Sequence, residues 1–118
     1  MPRVSNAVAS RKRRKRVLRQ ARGFYGARHR QFRTATEAVD KAMQHAYIGR
    51  KQKKRDYRQL WIMRIGAACE PLGISYSRFI DGLTKAGIKL NRKMLSEIAI
   101  HDTDGFRMIV QKAQNALG

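Results

Sequence analysis

Cations and aromatic rings are the chemically distinctive residues of this 118-residue chain. The stretch from residue 11 to residue 33, RKRRKRVLRQARGFYGARHRQFR, contains eleven Lys or Arg and no acidic residue. Phe24, Tyr25 and Phe32 lie among these charges. Guanidinium and ammonium groups bind phosphate oxygens, and aromatic rings stack on unpaired bases. The predicted chemistry is the binding of a polyanion that carries bases, although the same rings would also suit a small hydrophobic contact between helices.

A second run, RKQKKRDYRQLWIMR at residues 50–64, combines cations with Tyr57 and Trp61. On a helix these side chains lie around one rod. A single charged run is as often a solvated surface or a disordered tail as a binding site. Two runs joined by a predicted long helix favour recognition of a polyanion.

The net charge gives the same indication, because 27 Lys and Arg against 8 Asp and Glu leave +19. Residues 1–64 carry 20 basic and 3 acidic groups, +17, whereas residues 65–118 carry 7 and 5, +2. A small soluble domain needs a net charge of only about 2 to 8. We therefore predict a nucleic-acid partner, and we expect the first half to fold fully only when a polyanion neutralises it.

Catalytic and metal-binding chemistry is not indicated. His29, His45 and His101 are scattered, with no Ser and acid at a catalytic spacing. Cys69 has no second Cys and no close His, so it is predicted to be a buried structural thiol. We expect that the protein is not an enzyme. We also expect no catalytic residue, no cofactor, no metal and no small-molecule substrate.

The sequence also shows no pattern typical of a membrane span or an export signal. No apolar run approaches the roughly 18 residues of a membrane span, and the first ten residues lack a signal-peptide core. A cationic amphipathic membrane binder would need a broad apolar face, which residues 11–33 lack. The expected location is the cytoplasm.

The elements that must position the basic runs are predicted to be helices throughout. Residues 1–10 are expected to be an extended tail, and Gly23 and Gly26 to form a bend around the two aromatic residues between them. Residues 31–70 contain no Pro and predict one or two long helices, with Gly49 and Gly66 as weak points.

Three shorter helices follow, with predicted N-terminal caps at Ser75, Asn91 and Asp102, and Gly87 ends the first of them. Apolar residues at helical spacing predict the faces that form the core. These residues are Trp61, Ile62, Ile65, Ala68, Cys69, Leu72, Phe79, Ile80, Leu83, Ala86, Met94, Leu95, Ile98, Ala99, Phe106, Ile109, Val110, Ala113 and Leu117.

The predicted fold class is therefore all-α. A long basic N-terminal helical extension, residues 1–59, is followed by a small C-terminal helical bundle, residues 60–118. No segment shows the sustained alternation and β-branched enrichment typical of strands.

The chain resembles the bacterial large-subunit ribosomal protein L-twenty family. Four strings occur in the family's order and spacing: RKRRKRVLRQARGFYGARHRQFR, KKRDYRQLWIMRI, GISYSRFIDGL and NRKMLSEIA. The resemblance implies a structural, non-catalytic constituent of the large ribosomal subunit that binds 23S rRNA and acts early in assembly, beside neighbouring ribosomal proteins. Some members also bind their own mRNA. Pro71 departs from the family pattern and is expected to end the long helix a turn sooner.

The resemblance also implies a set of rRNA contacts, carried over residue by residue. In the first run they are Arg3, Arg11, Lys12, Arg13, Arg14, Lys15, Arg16, Arg19, Arg22, Phe24, Tyr25, Arg28, Arg30 and Arg33. In the second run they are Arg50, Lys51, Lys53, Lys54, Arg55, Arg58 and Arg64. In the bundle they are Asn91, Arg92 and Lys93, at a helix start that favours phosphate. On electrostatics alone, a general DNA-compacting protein of the nucleoid type is the alternative.

Overall fold

The computed structural model describes residues 3–118, which form five α-helices and no strand. The helices are α1 (Ala7–Gln20), α2 (Phe32–Cys69), α3 (Tyr76–Ala86), α4 (Arg92–His101) and α5 (Thr103–Leu117), with short 3-10 helices at Gly26–His29 and Glu70–Leu72. The predicted all-α class is confirmed. Among the residues described, no helix combines the length and the apolar character that a membrane crossing requires.

The chain divides into two compact units, Met1–Lys51 and Gln52–Gly118. Each unit has its own cluster of buried apolar residues. The boundary predicted between residues 59 and 60 falls within α2 and stays a prediction.

Helix α1 begins at Ala7, so the expectation of an extended tail over residues 1–10 is wrong for residues 7–10. Asn6 precedes the helix in a left-handed conformation, with φ 67°. Its carbonyl oxygen accepts a hydrogen bond from the Ser10 N–H at 2.9 Å. The small residues at positions 7 and 9 are alanines, which have the highest helix propensity, and this favours helix over an extended chain.

The bend after α1 forms as predicted. Gly23 and Gly26 have φ values of 84° and 62°, a region that only glycine adopts readily. Between them, Phe24 packs on a small cluster of the first unit that contains Ala21, Ala35 and Val39, joined by Val17 and Leu18. This cluster fastens the bend to the beginning of α2.

Helix α2 is continuous from Phe32 to Cys69 and passes through Gly49 and Gly66. It ends where expected, because Pro71 lies in the following 3-10 helix and has no N–H to continue the α-helical pattern. Gly73 then leaves the helix with φ 75°.

All three predicted caps of the second unit form. Each side chain accepts a hydrogen bond from the backbone N–H three residues later, which satisfies a donor that the helix itself leaves unpaired. The bonds run from Arg78 to Ser75 Oγ at 3.4 Å, from Met94 to Asn91 Oδ1 at 2.8 Å and from Gly105 to Asp102 Oδ1 at 3.0 Å. Gly87 ends α3 with φ 73°, also as predicted.

The core of the second unit centres on the rings of Phe79 and Phe106, whose centroids are 5.4 Å apart. Ile65, Leu95 and Val110 are buried around them. Four helices each contribute a stripe to this cluster, so the bundle predicted from the apolar spacing is present.

Four residues predicted for the core are not in it, and one of them is Ile62, which is half-buried and does not belong to the cluster. Trp61 is only half-buried, and its ring lies 6.2 Å from that of Tyr57. Ile65, one turn later, is the first residue of α2 that belongs to the core cluster. Met94 is 52% exposed, and Ala86, the last residue of α3, is also exposed. Both residues lie at the edge of the apolar stripe of a short helix, where a neighbouring helix no longer covers that stripe.

Helices α3 and α5 pack closely at Gly82 and Ala113. A methyl group added at Gly82 would lie 2.6 Å from the Ala113 carbonyl oxygen and 2.9 Å from the Ala113 Cβ. Both residues are buried. The absence of a side chain at position 82 therefore sets the distance between the two helices.

Cys69 is fully buried, and burial raises the pKa of its thiol from 9.0 to about 11. A rise of that size lowers the thiolate fraction at pH 8 about 100-fold, and the thiolate is the reactive form. We expect a disulfide reagent to label the native chain at least 100-fold more slowly than the urea-unfolded chain. The rate is read from thiol-reagent absorbance, and the signal has one source because the chain has one cysteine. Comparable rates in the two states would contradict the burial of this thiol.

Candidate nucleic-acid interface

The basic residues of the first run are exposed. In α1 the cations from position 11 to position 19 all face solvent, and so do those of the bend and of the beginning of α2. The apolar residues of α1, Val17 and Leu18, turn instead toward the cluster beneath the bend. The helix thus separates a thin apolar edge from a broad cationic surface.

None of the cations predicted to contact rRNA is paired with a carboxylate within 4.0 Å among residues 3–118. The ion pairs lie elsewhere, in the second unit. They are Lys85 with Asp81 at 3.0 Å, His101 with Glu97 at 3.3 Å and Arg107 with Asp104 at 3.7 Å. The protein's own acids therefore leave the charge of the predicted contacts uncompensated.

Three cations lie over aromatic rings instead. The guanidinium carbon of Arg14 is 5.3 Å from the centroid of the Phe32 ring. In α2, Lys51 Nζ lies 4.9 Å from the Tyr47 centroid. Such contacts orient a cation and leave it free to bind phosphate, because the ring carries no net charge. In the second unit Lys53 Nζ lies 5.9 Å from the Tyr57 centroid, which gives the second run the same arrangement.

Of the two alternatives for the aromatic residues of the first run, the hydrophobic contact is present, and stacking on a base stays a prediction. Phe24 forms the hydrophobic contact, since it packs on the small cluster. Tyr25 is 88% exposed. Phe32 is intermediate between these cases, with 37% of its surface exposed beside Arg14. Of the three rings, Tyr25 is the most exposed.

An open groove with a volume of about 610 Å³ lies between the bend and the beginning of α2, within the first unit. Tyr25 and Arg28 line it from the bend, and Glu37, Lys41 and His45 line it from the helix. The last three were not among the predicted contacts. Their spacing of four residues places them on one helical face, and this spacing was the available sequence signal.

The second run lies on α2, where every predicted contact from Arg50 to Arg64 is exposed. Within the second unit, Lys54 and Arg58 are one turn apart and so lie on the same side of the helix. Lys53 and Arg55 point in other directions, because successive positions rotate by about 100°. This part of the helix is cationic around much of its circumference.

The contacts predicted in the bundle sit at the beginning of α4. Asn91 is committed to its cap, and Lys93 is exposed. Arg92 is half-buried, and its Nε donates a hydrogen bond to the Tyr76 hydroxyl oxygen at 2.6 Å. Arg92 is the first residue of α4, and a helix N-terminus is a place where anions bind favourably.

Comparisons with known proteins show the family to which the chain belongs. The family model described as Ribosomal protein L20 matches residues 3–109. A relative named "Large ribosomal subunit protein bL20", from Xylella fastidiosa (strain M12), is 54% identical over 117 residues. The match covers 99% of this chain and 98% of the relative. The chain therefore belongs to the ribosomal protein L20 family.

Proposed function

We propose that this protein is a structural component of the large ribosomal subunit that binds 23S rRNA directly and promotes early assembly of the subunit, without a catalytic role. Family membership supports the ribosomal role, and with it the cytoplasmic location and the presence of rRNA and other subunit proteins as partners. Direct rRNA binding is supported by the exposed basic residues of both units.

The proposed mechanism is charge neutralisation. RNA helices repel each other through their phosphates, and a cation bound between them removes part of this repulsion while releasing condensed counterions. A basic segment among converging RNA helices therefore lets them pack more closely. Arginines outnumber lysines 17 to 10, and the planar guanidinium can bind two phosphate oxygens at once.

The single observation that carries the proposal is the lack of carboxylate partners for the predicted contacts among residues 3–118. A solvated surface designed only for solubility usually mixes charges of both signs. The first 36 residues contain no acid at all. An uncompensated surface of this kind supports a polyanionic partner.

The proposal is tested by measuring the affinity of the full chain for 23S rRNA fragments and for random duplex DNA of equal length. We expect rRNA to bind at least tenfold more tightly at physiological salt, because folded RNA offers shape and unpaired bases as well as phosphates. Affinity for both should fall steeply as salt rises. Equal affinities would support a general nucleic-acid compaction protein instead.

A further inference from the structure

We propose that the groove of the first unit binds one unstacked guanine base of RNA, with the ring stacked on Tyr25 and its amino-bearing edge recognised by Glu37. The inference rests on the proposed function and adds a base-specific contact to it.

The dimensions of the groove suit a nucleotide. Its volume of about 610 Å³ lies within the range of roughly 300 to 1,000 Å³ that small-molecule sites occupy. One wall is a fixed helical face of α2. The other is the bend, which the packing of Phe24 holds in place, together with a hydrogen bond from His29 Nδ1 to the Phe24 carbonyl oxygen at 2.7 Å.

Tyr25 supplies the stacking surface. The side chain is 88% exposed although the residue before it is anchored in the hydrophobic cluster. Its backbone position is therefore fixed while its ring meets solvent. RNA recognition commonly places an unpaired base on such a ring.

Glu37 is the unexpected residue in this groove. It and Asp40 are the only acids among the first 55 residues, and a carboxylate repels the phosphates that this surface attracts. Lys41 lies one turn further along α2, yet no cation lies within 4.0 Å of the Glu37 carboxylate in the described part of the chain. The carboxylate is thus left as a free acceptor on the wall of the groove.

Guanine is the base that fits a free carboxylate best. Its Watson–Crick edge presents two adjacent donors, the N1–H and the 2-amino group, which match the two carboxylate oxygens. Uracil presents one donor between two carbonyl oxygens, and those oxygens would be repelled. Arg28 and Lys41 line opposite walls and are placed to bind the flanking phosphates.

The test uses the full chain and three labelled heptaribonucleotides: seven uridines, the same strand with a central guanosine, and the same strand with a central inosine, which lacks the 2-amino group. Binding is measured by fluorescence anisotropy at 0.3 M salt to suppress non-specific attraction. We expect the guanosine strand to bind about tenfold more tightly than the uridine strand, with inosine in between.

The variant Glu37→Gln separates base recognition from charge, and Asp40→Asn is its matched control. Each removes one negative charge, but Asp40 does not line the groove. Glu37→Gln is expected to reduce the guanosine preference to about twofold or less, while binding of the uridine strand becomes tighter. Asp40→Asn should tighten all three strands equally and keep the preference.

Tyr25 provides the second pair of variants. Tyr25→Phe retains the stacking ring and should keep the guanosine preference, whereas Tyr25→Leu should lose most of the affinity for the guanosine strand. Since the side chain is exposed, neither change should alter the circular dichroism spectrum.

A guanosine preference that is missing in the wild type, or that survives Glu37→Gln unchanged, overturns the inference. In either case tight, salt-dependent binding of 23S rRNA fragments would leave the proposed function intact. Loss of rRNA binding itself would instead count against the proposed function.

Discussion

Replacing Gly82 by Ala is expected to destabilise the C-terminal bundle by about 2 kcal/mol. Two effects compete. Alanine gains about 1 kcal/mol of helix propensity over glycine. Overpacking costs about 1 to 3 kcal/mol, and the upper end applies because the new methyl would meet the Ala113 carbonyl oxygen and main-chain carbon, which cannot rotate away. The net loss should lower the melting temperature by about 10 °C for a domain of this size.

Gly66→Ala in α2 is the matched control, since it adds the same methyl group in the same unit. The nearest atom to that methyl would be the Tyr76 Cβ at 4.0 Å, an ordinary contact. We expect it to leave the bundle unchanged or to stabilise it by up to about 1 kcal/mol. Both variants are followed by thermal melting, with far-ultraviolet circular dichroism and the fluorescence of the single Trp61 as signals. Equal melting temperatures for the two would refute the close approach of α3 and α5.

Replacing five cations of α1 by Gln is expected to weaken binding of an rRNA fragment about a thousandfold at 0.1 M salt. The positions are Lys12, Arg13, Arg14, Lys15 and Arg16. If each binds one phosphate, the slope of log affinity against log salt should decrease by about 4, because each neutralised phosphate contributes about 0.7 to 0.9. Glutamine preserves helix propensity, so the change acts on charge rather than on α1 itself.

A control with the same loss of charge uses the five basic residues of the bundle that were not predicted as contacts. These are Arg78, Lys85, Lys89, Arg107 and Lys112, all exposed. Two of them already have carboxylate partners. Here the slope should change by no more than about 1. If the two sets of substitutions weaken binding equally, the protein acts as an undifferentiated polycation, and the assignment of the interface to α1 is wrong.

Features that depend on neighbours in the sequence were predictable. The caps at Ser75, Asn91 and Asp102 formed as predicted because each requires only a side chain and an N–H three residues away. The stop after Cys69 followed from the missing donor of Pro71. The same locality explains why the helices and their inner stripes were largely correct.

Features that depend on distant parts of the chain were not predictable in the same way. Helical periodicity places Trp61 on the same face as Ile65 and cannot tell where the covering helices end. The contact of Gly82 with Ala113 joins residues 31 positions apart, and a glycine in a helix gives no sign of its partner. Phe24 and Tyr25 are adjacent rings, and only Phe24 packs on the cluster beneath the bend. The sequence does not indicate which of the two makes this contact.

The capping of α3, α4 and α5 also bears on how quickly the bundle forms. Each cap spans only three residues, so the boundaries of these helices can be established before any long-range contact is made. Helical bundles rich in such short-range interactions fold within microseconds to milliseconds. A ribosome adds only about 5 to 20 residues per second. Newly made copies should therefore complete this part of the fold in less time than the ribosome needs to form one peptide bond. The supply of the folded bundle is then limited by synthesis and not by conformational search.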